Sequence, residues 1–262
     1  MFIIGERING MFKAVGEAIK KKDHSVIQEL AKKQIAAGAD CLDVNVGPVA
    51  EDPTEAMIWL VKVIRQVFNG PVAIDSPKPA VLEAGLQAAG DNAIINSTTG
   101  VPEKLNTILP LAVKYNAAVI GLTISEKGVP ADSAGRMEVA ANIVASAMEK
   151  GIMPDMIYID GVILPVNVAQ PQCQEVMKLI SEVRMISNPA PKTVLGLSNV
   201  SQGTKQRPLI NRTYLAMAIG YGLDAAIMDP LDKDLMDAAI TADLLMNRHI
   251  YCDSYLEAYR KK

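Results

Sequence analysis

Along the chain, short runs of apolar and β-branched residues alternate with longer stretches whose apolar residues return every three or four positions. The short runs have the length and composition of buried strands, and the longer ones carry the 3.6-residue period of amphipathic helices. Strands are predicted at 2–5, 40–45, 71–75, 93–96, 118–123, 156–160, 193–198 and 225–229, each followed by a helix. Local signals agree. Asp52-Pro53-Thr54-Glu55 supplies an N-cap, a proline at the first helical position and a carboxylate placed for a capping box. The helix that follows is expected to turn Ile58, Val61 and Val67 toward the core. Gly38, Gly90, Gly151 and Gly222 stand just past other helices, where a left-handed residue is wanted.

This alternation predicts an α/β fold with a parallel sheet. Eight units fill the 262 residues, with no linker, low-complexity run or spare segment large enough for a second domain. A closed (β/α)8 barrel, one domain over 1–262, is therefore expected. An open doubly wound sheet would want a glycine-rich dinucleotide turn after its first strand, and none is present. Residues 248–262 read as a terminal helical extension with a basic end, a solvated tail.

Composition narrows the function classes. The residues are 50% apolar and 21% charged, within the range of ordinary globular domains. A net charge of −3 argues against nucleic acid or an anionic membrane as partner. No apolar run is long enough to span a bilayer, and no basic segment precedes an apolar one at the start. A cytoplasmic location is expected. Cys41, Cys173 and Cys252 are odd in number and scattered, which reads as free thiols in a reducing compartment.

In a barrel of this kind chemistry collects at the C-terminal ends of the strands. In the first half of the chain those ends carry Glu6 and Asn9, Asp43 and Asn45, Asp75 and Ser76, then Asn96, Ser97 and Thr98. The second half adds Thr123, Asp160, Ser198 with Asn199, and Asp229. Any one of them alone reads as a helix or turn cap. Five carboxylates and four amides on one rim suggest instead a polar ligand rich in hydrogen-bond donors. A heterocycle with a ring N–H beside an exocyclic amine suits that rim, because one carboxylate accepts both donors side by side. Pterins have this pattern, and so do other heterocycles. The two histidines, His24 and His249, fall at a helix start and in the tail, so neither is placed as a base or ligand. No lysine ends a strand and no His/Cys cluster has zinc spacing. No protein-bound metal is expected, with Asp43, Asp75 and Asp229 the one set left for it.

Gly5-Glu6-Arg7-Ile8-Asn9-Gly10 resembles the opening of the pterin-binding methyltransferase family, whose members are TIM barrels. Leu42-Asp43-Val44-Asn45-Val46-Gly47, Ile74-Asp75-Ser76, Ile95-Asn96-Ser97-Thr98 and Gly196-Leu197-Ser198-Asn199-Val200-Ser201 follow in order on the expected strands. Gly196 to Gln202, Asn211-Arg212-Thr213 and Tyr251-Cys252-Asp253-Ser254 are similar to one branch in particular. That branch is the methyltetrahydrofolate:corrinoid/iron–sulfur protein methyltransferases of the acetyl-CoA pathway.

The resemblance implies roles. Asp75, Asn96 and Asp160 would hydrogen-bond the pterin ring, and Asn199 would be the catalytic residue, reaching the N-5 that carries the methyl group. Ser198, Gln202 and Arg207 would border the same pocket, Arg207 toward the benzoyl-glutamate tail. Glu6, Asp43 and Asn45 would form a supporting shell, with plain barrel packing as the rival reading. It implies 5-methyltetrahydrofolate as methyl donor, the cobalamin or other corrinoid of a corrinoid iron–sulfur protein as acceptor, and a homodimer. With no histidine in the pocket to act as the acid, the proton for N-5 is expected from solvent. Two rivals stand beside this reading, a dihydropteroate-synthase-like pterin enzyme and a non-catalytic folate-binding subunit. The first lacks support in the loop 7–12 and at Asp229-Pro230-Leu231-Asp232, where that enzyme's substrate-binding motifs are absent.

Overall fold

Eight parallel strands pair in chain order and the last returns to the first, so the computed structural model, which describes residues 1–260, is a closed barrel. The strands are β1 (Phe2–Asn9), β2 (Cys41–Asn45), β3 (Val72–Asp75), β4 (Ala93–Thr99), β5 (Ala118–Leu122), β6 (Ile157–Asp160), β7 (Lys192–Gly196) and β8 (Ala225–Met228). Every predicted strand is present with its start within a residue. β1 and β4 run past their predicted ends because their register slips, between Gly5 and Ile8 against β2 and between Asn96 and Thr98 against β5. Each slip inserts residues that face the barrel mouth.

One helix per strand proves too simple. β1 is followed by α1 (Lys13–Lys21) and α2 (His24–Ala36), divided where Lys22 turns left-handed and Asp23 caps the second helix through the Ser25 N–H. Then come α3 (Pro53–Arg65), α4 (Pro79–Ala89), α5 (Pro102–Tyr115) and α6 (Ser133–Glu149). After β6 a short α7 (Val166–Ala169) precedes α8 (Gln172–Glu182), and α9 (Arg207–Gly220), α10 (Lys233–Leu245) and α11 (Tyr255–Arg260) complete the ring. The four glycines expected past helices all take positive φ. Asp52 caps α3 by accepting the N–H groups of Thr54 and Glu55. The Glu55 carboxylate, however, pairs with Lys22, the residue just past α1. The buried stripe of α3 is Met57, Leu60, Val61 and Ile64, whereas Ile58 and Val67 are only half-buried. The helical period holds, but the centre of the buried stripe lies one residue from the expected line.

The terminal segment is not a free tail. Arg260 forms two hydrogen bonds to the Asp237 carboxylate of α10, at 2.8 and 2.6 Å, and Tyr259 stacks on His249. The basic end at 261–262 lies outside the described residues. Among those residues no helix is long and apolar enough to cross a membrane.

The site is positioned by the barrel interior. One residue from each strand, from Ile4 on β1 to Ala225 on β8, packs into a central plug. Side chains two positions apart on a strand point the same way. That step leads from Ile4 to Glu6, from Cys41 to Asp43, from Ala73 to Asp75, from Ile94 to Asn96 and from Tyr158 to Asp160. An apolar layer is thus roofed by a polar one at the C-terminal strand ends.

Candidate functional site

Above the plug opens a cavity of about 560 Å³ whose wall includes Glu6, Asp43, Asp75, Asn96 and Asp160. Two amides span it. Asn96 Nδ2 donates to Asp43 Oδ1 at 2.9 Å, and Asn45 Nδ2 donates to Asp75 Oδ2 at 2.7 Å. The four carboxyls are held in a poorly solvated place, and burial dominates their protonation. It raises Asp43 well above the usual carboxylate range, helped by the neighbouring charge of Asp75, against the hydrogen bond from Asn96. It raises Asp75 against the bond from Asn45, and Glu6 against a bond from Ser198. Asp160 is pushed up to about 6, while the Val162 and Gly196 N–H groups hold it down. A ligand that brings donors to these oxygens favours their ionised form and replaces the lost water.

The loop after β7 brings the remaining groups in. β7 ends at Gly196, where an added Cβ would stand 3.2 Å from Asn199 Nδ2 and 3.8 Å from Asp160 Oδ2. Glycine there leaves room for the Asn199 amide. A 3₁₀ turn over Leu197–Asn199 is anchored by burial of Leu197 and Val200, and it points Ser198 and Asn199 into the cavity wall. Ser198 Oγ donates to Glu6 Oε1 at 2.6 Å, tying this loop to β1. Arg207 ties it to the start of α9, donating to Ser201 Oγ and the Ser198 carbonyl at 3.1 Å each.

Asp75, Asn96, Asp160, Ser198, Asn199 and Arg207 therefore share one cavity. Gln202 does not line it. Val200 and Ser201 are buried by the turn, so the next residue is thrown outward, and Gln202 is exposed. The supporting shell also divides. Asn45 stands behind Asp75, accepting the Gly47 N–H as well, whereas Glu6 and Asp43 are in the wall itself. The burial that pushes Asp160 up to about 6 has no signature in the linear chain.

Sequence reading gave no role to Arg7, Phe12, Asn211 and Asp232, which stand in the same wall. The Arg7 guanidinium lies over the Phe12 ring at 4.3 Å and pairs with Asp229 at 3.3 Å. It faces the mouth because of the slip in β1, which no local pattern announces. Asn211 was legible in principle, since it follows Arg207 by four residues on α9 and so shares its face. Among the described residues no three His, Cys, Asp or Glu side chains converge to hold a metal ion.

A parallel (β/α)8 barrel with a carboxylate-lined cavity at its C-terminal strand ends defines an enzyme class that takes a polar, donor-rich ligand. Within it, the chain belongs to the family described as pterin binding enzyme, whose model matches residues 9–229. Over its whole length it is 29% identical to a protein of Eubacterium limosum named methylcorrinoid:tetrahydrofolate methyltransferase, 97% of which is covered. It is 30% identical over 87% of its length to a methionine synthase of Mycobacterium tuberculosis, of which it spans 20%. Two dihydropteroate synthase structures share the fold. The Clostridium difficile one, with pteroic acid, has a TM-score of 0.69 at 19% identity and covers 94% of this chain and 96% of that one. The Thermus thermophilus one has a TM-score of 0.66 at 16% identity, covering 95% and 94%.

Proposed function

We propose that this protein moves the N-5 methyl group of 5-methyltetrahydrofolate to the Co(I) of a corrinoid, giving methyl-Co(III) and tetrahydrofolate. The observation that supports it most is the convergence of Asp75, Asn96, Asp160 and Asn199 in the wall of one cavity. Asp160 and Asp75 accept from the pterin's N–H donors, Asn96 reads the ring edge, and Arg207 meets the acidic tail. In the step itself the C–N bond breaks and its electron pair stays on N-5. Cobalt supplies the pair for the new Co–C bond. An amine anion is a very poor leaving group, so N-5 takes a proton, drawn from solvent through the open mouth. Asn199 hydrogen-bonds the N-5 region and stabilises the charge that develops there. One transition state serves both directions, so the opposite direction in the name of the Eubacterium limosum relative describes the same displacement. The acceptor is carried by a corrinoid protein, of the corrinoid/iron–sulfur type served by the methyltransferases that the loop 196–202 resembles.

Calorimetric titration with methyltetrahydrofolate tests the pterin site. A hydrogen bond to a charged group contributes roughly 1.5–3 kcal/mol, so Asp160→Ala should raise the dissociation constant at least about tenfold. Unchanged affinity would remove Asp160 from the site. Condensation of a pterin pyrophosphate with 4-aminobenzoate by the wild-type protein would support the dihydropteroate-synthase-like reading instead.

A further inference from the structure

Arg136 is the largest side chain with no solvent exposure, and it sits in the first turn of α6. That is an expensive place for a cation. Burial disfavours the charge, and the positive end of the helix dipole adds to the penalty. Its hydrogen-bond partners among the described residues are all uncharged. Nε donates to the Gly161 carbonyl at 2.8 Å, one terminal nitrogen to the Ala131 carbonyl at 3.2 Å, and the other to Gln172 Oε1 at 2.6 Å. Burial lowers its pKa, with the charges of Glu175 and Asp132 opposing.

The Gly161 carbonyl is the informative partner. The planar peptide unit that owns it also owns the Val162 N–H, which points the opposite way. That N–H donates to Asp160 Oδ1 at 2.7 Å. Val162 has a φ of 55°, a region that β-branched residues rarely enter, so this peptide's orientation is imposed by its partners. Arg136 holds its oxygen and Asp160 holds its hydrogen. A cation on the carbonyl also polarises the amide and strengthens the bond on its far side.

We propose that Arg136 is a positioning residue for Asp160, fixing the Gly161–Val162 peptide so that its N–H orients the Asp160 carboxyl in the cavity wall. The role as positioner stands on this geometry; its consequence for catalysis rests on the pterin reading of Asp160. Other groups around Asp160 do not supply the same control. Tyr214 on α9 and Cys173 on α8 are pushed up by burial and stay neutral near pH 6. The Gly196 N–H of β7 binds the other oxygen at 3.2 Å, and Asp43, Asp75 and Glu6 line the far wall.

The test is carbon NMR titration of the Asp160 carboxyl, assigned by its loss in Asp160→Asn, in wild type and Arg136→Met, with amide exchange at Val162. In Arg136→Met the midpoint should rise above about 6, by about half to one unit for a weakened hydrogen bond to the charged form. Val162 exchange should accelerate relative to the core of α6, and tetrahydrofolate binding should weaken. Val144→Ala, which thins the packing of the same helix, should leave the midpoint in place. An unchanged midpoint and unchanged Val162 exchange in folded Arg136→Met would overturn the proposal. Should that variant not fold, Arg136→Gln, shorter and uncharged, decides by the same criterion. A raised midpoint with unaltered tetrahydrofolate affinity keeps the positioning role and removes Asp160 from the pterin site.

Discussion

Asn199 cannot act as an acid; on the proposed function its amide, packed against Gly196 in the cavity wall, stabilises the charge that develops at N-5. Asn199→Ala should therefore slow single-turnover methyl transfer by roughly 10²–10³, about 2.7–4 kcal/mol, as for loss of one preorganised contact. If its role were only to shape the turn, the loss would be about 1 kcal/mol of stability with transfer intact. Transfer rate and thermal unfolding of the same variant separate the two. At this scale much of the site was legible. Asp43, Asp75, Asn96 and Asp160 each lie two residues beyond an apolar plug residue, and alternation along a strand needs no tertiary information. Gln202 and Arg7 were not legible, because their directions are set by a 3₁₀ turn and by a register slip. Nor was the pKa of Asp160, which is set by a burial that only the closed barrel creates.

At the scale of elements, the end of β7 is the joint on which the account turns. Gly196 has ordinary negative φ, so alanine fits its backbone, but the new methyl would crowd Asn199 Nδ2 at 3.2 Å. Gly196→Ala should leave the unfolding free energy within about 1 kcal/mol of wild type, as for most substitutions away from the core, and should lower methyl transfer by displacing the amide. Chemical denaturation with a transfer assay checks it; full activity would show that the Asn199 position carries no precision. The strands and the α3 cap followed from period and composition, since those signals are local. The break between α1 and α2 did not, because Lys22 gives no warning that it turns left-handed. The terminal helix misled in the same way, its ion pair to Asp237 being invisible from its own composition.

The whole molecule carries the cost of its site. Asp160 titrates near 6 in the fold, against about 3.9 for an unfolded aspartate. The folded state therefore holds this proton more tightly. Stability from the group is fully present below about pH 4, falls as pH rises toward 6, and is flat above, a span of about 3 kcal/mol. Asp43, Asp75 and Glu6 are raised in the same direction and steepen the slope. Ligand-free Asp160→Asn should lose stability less steeply than wild type between pH 4 and 6, measured by denaturant unfolding across that range; parallel curves would mean that Asp160 is not desolvated. The cavity is thus an unfavourable arrangement of carboxyls that a donor-rich ligand relieves, and the central claim is what that ligand passes on. The most direct measurement is an anaerobic absorbance assay with free cobalamin, run from cob(I)alamin plus methyltetrahydrofolate and from methylcobalamin plus tetrahydrofolate. The account predicts catalysed loss of the Co(I) band with formation of methylcobalamin in the first case, and the reverse approach to the same equilibrium in the second. Protein that binds methyltetrahydrofolate yet accelerates neither direction would contradict it.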